Sequence, residues 1–170
     1  MAFEVRPSGV EELDRGDPAE VAVENALRKA RAACRPGRGE LVLGCDTLVA
    51  LDGVIYGKPE DEAAARRTLR ALADATHEVV SGVALLGTGD GAEPPLTLTA
   101  AARTAVTFRE IDRTLMDWYV ATGEWRGRSG GYAIQGAGAV LVRRVEGEVE
   151  NVVGLPLATL LDIYPELLRR

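Results

Sequence analysis

Apolar runs and helix-like spacings of apolar residues alternate along this chain, which predicts a mixed α/β fold. Short runs rich in Val, Leu, Ile and Thr are typical of strands, and apolar residues three and four positions apart are typical of helices. The predicted strands cover residues 3–5, 41–43, 48–51, 54–56, 77–86, 96–108 and 139–145, and the predicted helices cover residues 18–34, 59–73, 112–123 and 154–168. Without repeats or a linker, the chain is expected to form one domain over residues 1–170.

Polar residues, prolines and glycines mark the ends of these elements. Asp17 before Pro18 predicts the start of the first helix, and Asp112 predicts the start of the third. A Pro-Gly pair predicts the end of the first helix. The predicted loops cover residues 36–37, 87–95 and 124–138. The last of them is too long to serve only as a connection, which favours a functional role for it.

The stretch over residues 41–59 is the one around which the rest of the chain is organised. Its first strand is expected to end at Gly44, which would put Asp46 at the carboxyl end of that strand, where open α/β sheets bind ligands. An Asp-Gly pair then predicts a hairpin turn that brings Lys58 back towards Asp46. A carboxylate that can hold a metal ion or a water, beside a cation that can hold a phosphate, predicts a minimal site for phosphate chemistry.

The composition narrows the classes of function. The chain has 170 residues, of which 46% are hydrophobic, so it is globular, and its net charge of −6 without a basic block argues against binding of a nucleic acid polymer. Cys34 and Cys45 are too few for a disulfide scaffold and predict reduced thiols in a cytoplasmic protein. No apolar stretch approaches the roughly 18 residues of a membrane span, so no membrane association is expected.

Several candidate residues for chemistry also have a purely structural interpretation. Asp46 could be a turn carboxylate, and Glu12 could belong to an acidic surface loop. Lys29 and Lys58 could be solvated surface lysines. His77 is the only histidine, which argues against a histidine-based metal site or a Ser-His-Asp triad and favours a structural role for the ring.

Two further candidates lie in the long predicted loop. Arg126 and Arg128 flank a glycine, and guanidinium groups beside flexible glycines suit phosphate binding, although a solvated loop fits as well. Gln135 offers a hydrogen-bond donor and an acceptor together, so it could read the edge of a base.

Taken together, the order and spacing of short segments resemble the Maf family of nucleoside triphosphate pyrophosphatases. The matching segments are Pro7-Ser8-Gly9-Val10-Glu11-Glu12, Lys29-Ala30, Leu43-Gly44-Cys45-Asp46-Thr47, Gly57-Lys58-Pro59, Thr76-His77-Glu78-Val79, Ser81-Gly82-Val83, Thr107-Phe108, Gly131-Tyr132-Ala133-Ile134-Gln135-Gly136 and Asn151-Val152-Val153-Gly154-Leu155-Pro156-Leu157. The resemblance covers nearly the whole chain, from about residue 3 to residue 168.

The resemblance implies a Maf/inosine-triphosphatase-like fold, a two-lobed single domain with a mixed central sheet flanked by helices. It implies cleavage of a nucleoside triphosphate between the α and β phosphates, giving a monophosphate and pyrophosphate. The Ile134-Gln135-Gly136 form resembles the subgroup that prefers dTTP and UTP over 7-methylguanosine triphosphate. It also implies a divalent cation, Mg²⁺ in the first instance with Mn²⁺ as the alternative, and a homodimer as one oligomeric option.

The resemblance also implies roles for individual residues. Asp46 would be the catalytic carboxylate that activates the attacking water, and Glu12 would join it in holding the cation. Lys29 and Lys58 would bind phosphate. Two acids and two cations around a triphosphate are also what in-line phosphoryl chemistry needs.

The base-recognition segment both matches the family and departs from it. Thr47 and Gln135 match positions tied to base selection. Where the family usually shows an Asp-Lys-Ala-Gly run, Gly127 replaces the Asp, Arg128 the Lys and Ser129 the Ala. Arg128 keeps the positive charge of a substrate-binding residue but not the ammonium geometry.

A second departure concerns the start of the printed sequence. Family members begin with a strand and a Ser-rich loop ending in Ser-Pro-Arg-Arg, and the amino-terminal strand and phosphate loop are expected to be absent here. Two interpretations follow: a start assigned too late, or a catalytically impaired homologue that acts as a nucleotide-binding or regulatory protein. A small-molecule phosphatase on the same scaffold is a third alternative.

Overall fold

A computed structural model describes residues 3–35, 39–88 and 96–169, and it confirms the α/β class. The helices and strands alternate as the apolar pattern predicts. The strands are β1 (Leu41–Leu51), β2 (Val54–Tyr56), β3 (Thr76–Gly87), β4 (Leu96–Phe108) and β5 (Val142–Glu146), and the α-helices are α1 (Pro18–Ala33), α2 (Glu62–Leu72), α3 (Arg113–Thr122), α4 (Val149–Val153) and α5 (Leu157–Ile163). Three 3-10 turns complete the fold, at Ser129–Gly131, Ala137–Leu141 and Pro165–Arg169.

The five strands form one sheet in the order β2-β1-β3-β4-β5. Each neighbouring pair of these described strands is antiparallel, whereas a mixed sheet was expected. Strand β3 lies in the middle and is buried on both faces, which explains its nearly continuous apolar sequence. β2 pairs only with the end of β1, so most of β1 has no strand partner on that side within the described residues.

Helix α1 covers one face of the sheet and sits close to its backbone. Asp17 caps the helix by accepting hydrogen bonds from two backbone N–H groups, and Pro18 occupies the first helical position, as predicted. Ala22 and Ala26 are fully buried on the face that packs against β1 and β3. Gly44 of β1 and Gly82 of β3 lie directly under them, so that a Cβ on either glycine would overlap the helix backbone. The helix therefore approaches the sheet to a distance that only these glycines permit.

The opposite face of the sheet carries the larger apolar core. Leu69 of α2, Tyr119 of α3 and Phe108 of β4 are fully buried there, together with Val79 and Leu141. Gly123 ends α3 in a left-handed conformation, in agreement with the predicted helix end. Apolar side chains thus cover both faces of the sheet, with α1 on one face and α2 and α3 on the other. Alternate side chains of β1 therefore face α1 and the larger core.

The prediction that the first strand ends at Gly44 is wrong. β1 continues from Leu41 through Leu51, and Cys45, Asp46 and Thr47 pair with β3 in an unbroken ladder. Gly44 does not interrupt the strand, because its role is to make room for α1. The candidate carboxylate consequently lies in mid-strand and not at a carboxyl end.

Other differences are confined to short segments. Residues 3–5 form no strand, the strand expected over 139–145 begins at Val142 after a 3-10 turn, and helix α4 was not anticipated. The single helix expected over 154–168 divides at Tyr164, since Pro165 cannot continue it. The end signal at residues 36–37 and most of the loop at 87–95 lie outside the described residues. No described helix combines the length and apolar character that crossing a membrane would need.

We expect Gly82→Ala to destabilise the protein by roughly 1–3 kcal/mol, because the added methyl group must displace the backbone of α1. The measurement is urea-induced unfolding followed by circular dichroism. Gly57→Ala is the matched control, since a Cβ there meets no atom within 4 Å. Equal stability of the two variants would contradict the close approach of α1.

Candidate active site

A buried carboxylate lies where α1 crosses β1. Asp46 is only 5% exposed and points from β1 towards α1. Asn25 and Lys29 lie one turn apart on α1 and both reach it: the Asn25 amide donates to Oδ2 over 2.9 Å, and the Lys29 ammonium donates to Oδ1 over 2.5 Å. The helical spacing of four residues thus delivers a neutral donor and a cation to the two oxygens of one carboxylate.

Two further charges extend this pair into a row of alternating sign. Lys29 Nζ is also 2.6 Å from Glu12 Oε1, and Glu12 Oε2 is 3.0 Å from Lys58 Nζ. The order is therefore Asp46, Lys29, Glu12 and Lys58, from buried to half-exposed. The predicted approach of Lys58 to Asp46 is achieved through Glu12 and Lys29, not by direct contact.

The row favours the charged form of its members. Burial alone would raise the pKa of Glu12, but hydrogen bonds from Lys29 and Lys58 outweigh it and lower that pKa below its ordinary value. Burial alone would likewise lower the pKa of Lys29, but its hydrogen bonds to Asp46 and Glu12 raise it. Both groups consequently stay ionised at neutral pH.

Asn25 fixes the segment that carries Glu12. Its side chain is 1% exposed, accepts a hydrogen bond from the Leu13 N–H over 2.8 Å and donates to the Leu13 carbonyl over 3.0 Å. Because the same Asn25 amide also donates to Asp46, it links the irregular segment before α1 to the buried carboxylate. Asn25 is not among the predicted site residues, although a polar residue within the buried apolar stripe of α1 was the signal for it.

These residues border a pocket of about 200 Å³ beside β1. Asp46 faces it from the α1 side of the strand and Thr47 from the other side, so the pocket lies across the edge of β1 that β2 leaves uncovered. Six of the seven predicted site residues line it, namely Lys29, Asp46, Thr47, Lys58, Arg128 and Gln135. Glu12, the seventh, contacts the pocket through its two lysines.

Hydroxyl groups lie behind the pocket on the side away from α1. The Thr47 and Ser81 hydroxyls are 2.7 Å apart, and the Ser81 hydroxyl donates to the Asn151 carbonyl over 3.3 Å. Ser129 donates to the Thr47 carbonyl over 3.0 Å, which anchors the long loop on β1. Burial raises the pKa of the Cys45 thiol to about 11, so this pocket residue stays a neutral thiol.

The long loop supplies a cation and an amide to the pocket. The Arg128 guanidinium has no ion-pair partner among the described residues, whereas that of Arg126 stacks 4.5 Å from the centre of the Trp125 ring. Gln135 is exposed in the pocket, and its amide makes no hydrogen bond within the described part of the chain. Of the two candidate arginines, the structure therefore brings only Arg128 to the pocket.

His77 supports the loop from within the core, in agreement with its predicted structural role. Its ring is 1% exposed, and Nε2 lies 2.9 Å from the hydroxyl of Tyr132, a residue that lines the pocket. Phe108 packs edge-on against both rings. Burial lowers the pKa of His77 to about 4, so the ring is neutral at physiological pH.

Two carboxylates could hold a divalent cation here, those of Glu12 and Asp46. Among the described residues, no three or more histidine, cysteine, aspartate or glutamate side chains are grouped so that they could hold a metal ion. Mg²⁺ suits such a sparse set, because it is commonly bound by one or two carboxylates together with substrate phosphates and waters. Lys29 already bridges the two carboxylates with a positive charge, so the donor set fits a cation that arrives with a phosphate ligand.

Comparisons with known proteins identify the family to which the chain is related. The family model described as "Maf-like protein" matches residues 1–167. The chain is 47% identical over 174 residues to a dTTP/UTP pyrophosphatase of Anaeromyxobacter sp. (strain Fw109-5), covering 100% of this chain and 80% of that protein. It is 40% identical over 161 residues to a dTTP/UTP pyrophosphatase of Pyrococcus furiosus, covering 94% of this chain and 82% of that protein.

We expect His77→Gln to remove one pH-dependent component of stability. Between pH 6.5 and 4 the unfolded chain binds a proton at His77 that the folded chain does not, so the free energy of unfolding falls as the pH is lowered. From pH 7 to pH 5, the wild type should lose about 2 kcal/mol more than the variant. Urea unfolding at the two pH values measures the difference, and equal losses would contradict a neutral buried ring.

Proposed function

The chain belongs to the Maf family, and from this we propose that it hydrolyses a nucleoside triphosphate to the monophosphate and pyrophosphate, with dTTP and UTP as preferred substrates. The observation that carries the proposal is one pocket that combines a buried carboxylate, three cations and an exposed side-chain amide. The cations can bind the triphosphate, the carboxylate can accept a proton from the attacking water, and the amide can form hydrogen bonds with the nucleobase. The names of the relatives supply the preferred bases.

In the proposed reaction, Asp46 is the general base. A water oxygen attacks the α-phosphorus while the bond from that phosphorus to the bridging oxygen of pyrophosphate breaks. The water proton passes to the Asp46 carboxylate. Asn25 and Lys29 hold that carboxylate in one orientation, which keeps the proton acceptor aligned with the water.

The cations accept the phosphate charge by exchanging partners. Lys29 and Lys58 are paired with Glu12, so a triphosphate replaces carboxylate contacts with phosphate contacts. Within the described ranges, Arg128 has no such partner to give up, and its planar guanidinium can bind two phosphate oxygens at once. Freed from these contacts, Glu12 is left as a second carboxylate beside the bound charge.

Glu12 and Asp46 would hold a divalent cation, Mg²⁺ in the first instance, which supplies neutralisation of the triphosphate charge. The residues of this chain provide the remaining contacts. Thr47 and Gln135 are proposed to face the base, because both line the pocket on the side of the long loop. A side-chain amide can match the adjacent acceptor and donor on the edge of a uracil or thymine ring.

We expect Asp46→Asn to lower the rate of pyrophosphate release by roughly 10²–10⁴-fold, because the amide cannot accept the water proton. Release should be measured with Mg²⁺ and each common nucleoside triphosphate. Asp52→Asn is the matched control: Asp52 lies in the turn between β1 and β2, outside the pocket, where asparagine tolerates the positive φ of 51°.

Three outcomes of that assay separate the alternatives. Release that favours dTTP and UTP and is lost only in Asp46→Asn would support the proposal. Tight nucleotide binding without release would favour a nucleotide-binding or regulatory protein. Release of phosphate from unrelated phosphomonoesters would favour a general phosphatase.

We expect Arg128→Ala to raise KM roughly tenfold with little change in kcat, because an unpaired cation contributes binding in the ground state and the transition state alike. Steady-state kinetics with dTTP measures this. Arg126→Ala, two positions away, removes an arginine that stacks on Trp125 and should leave KM within about twofold. An equal change in KM for both variants would contradict binding of the phosphates by Arg128.

A further inference from the structure

We propose that Glu124 is a positioning residue that holds Gln135 in the orientation needed to discriminate between bases. This inference rests on the proposed function, because it assigns Gln135 to the base. Glu124 itself does not line the pocket. Its effect is therefore expected in the choice of nucleotide and not in the hydrolytic step.

The Glu124 carboxylate caps the backbone directly after Gln135. The N–H of Ala137 donates to Oε1 over 2.8 Å, and the N–H of Gly138 donates to Oε2 over 2.7 Å. The hydroxyl of Tyr119, which is fully buried, donates to Oε2 over 3.2 Å and fixes the carboxylate from the core side. One side chain thus connects α3 to the backbone two and three residues beyond Gln135.

This position requires a carboxylate. Two adjacent N–H groups approach two different oxygens, and each oxygen acts only as an acceptor. A glutamine of the same shape offers one acceptor and would turn its NH₂ group towards a second donor. Hydrogen bonds to a charged acceptor are also stronger than those to a neutral one.

Gly136 shows how closely the carboxylate and the loop fit together. A Cβ on Gly136 would overlap Glu124 Oε1, so any larger residue at this position must displace the carboxylate. The glycine next to Gln135 is therefore required by the Glu124 contact. The two residues act as one unit, and disturbing either should have the same consequence.

Gln135 lies between two anchors. It is a central residue of the turn in which the N–H of Gly136 donates to the Ala133 carbonyl over 3.2 Å. Before the turn, Tyr132 is fastened to His77 in the core, and after it Glu124 holds the backbone. Since the Gln135 amide has no internal partner in the described residues, these two anchors act on it through the position of the backbone that carries it.

The discriminating experiment uses two nucleotides that differ at one edge of the base. UTP and CTP exchange a carbonyl for an amino group there, so an aligned amide distinguishes them. In Glu124→Gln, the ratio of kcat/KM for UTP to kcat/KM for CTP should fall roughly fivefold or more. The fold-change in kcat for UTP should be smaller than the fold-change in that ratio. Gly136→Ala should lower the ratio in the same way, and the double variant should lower it little further than either single variant.

Glu148→Gln is the matched control. Glu148 accepts hydrogen bonds from the N–H groups of Ala158 and Thr159 and from the Thr159 hydroxyl, the same type of carboxylate cap as Glu124 but at α5. It should leave the UTP/CTP ratio unchanged. A fall of the ratio in both variants, or in neither, would overturn the proposal.

A readout independent of turnover separates this inference from the proposed function. Amide hydrogen exchange at Ala137 and Gly138 should accelerate in Glu124→Gln and not in Glu148→Gln. If the wild type hydrolyses no nucleotide, the proposed function fails, and the ratio of UTP to CTP dissociation constants then tests Glu124 by the same comparison. Accelerated exchange with an unchanged ratio would make Glu124 a structural cap only and overturn the proposal.

Discussion

The close approach of α1 to the sheet is the constraint on which the candidate active site depends. Gly44 and Gly82 allow the helix backbone to lie almost on the strands, and this proximity lets Asn25 and Lys29 reach Asp46 within hydrogen-bond distance. A helix at a greater distance would leave a buried carboxylate without partners, which is energetically costly. The packing of small residues and the electrostatics of the site are therefore two aspects of the same contact.

The alternating row of charges explains how an acidic protein can provide a site for a polyanion. Each lysine in the row is already neutralised by a carboxylate, so the pocket holds cations without a large local excess of positive charge. In the proposed reaction, phosphate would replace carboxylate at these lysines, and folding has already removed part of the water around them. Arg128 is the exception, since it has no ion-pair partner in the described chain, and we propose that it attracts an approaching phosphate first.

The sequence predicted local features better than long-range ones. Helix starts at Asp17 and Asp112 and the β1–β2 turn follow from capping and turn chemistry, which act over a few residues. Gly44 was wrongly predicted to end the strand. Glycine is needed there because the backbone of α1 packs against it, and this contact is not visible in the local sequence. Asn25 and Glu124 were missed for the same reason: their hydrogen-bond partners are set by tertiary structure and lie far along the chain. Six of the nine recognised segments, in contrast, contribute residues to one pocket.

The position of Asp46 within a continuous ladder has an evolutionary consequence. The carboxylate belongs to a strand that pairs along its whole length, whereas the amide proposed to face the base belongs to a turn held by a few side-chain anchors. Substitutions in the turn can change which nucleotide is accepted without reaching the ladder. The fold thereby separates the residue proposed to carry the reaction from the residue proposed to select the nucleotide, an arrangement in which new specificities can arise while the old chemistry is retained.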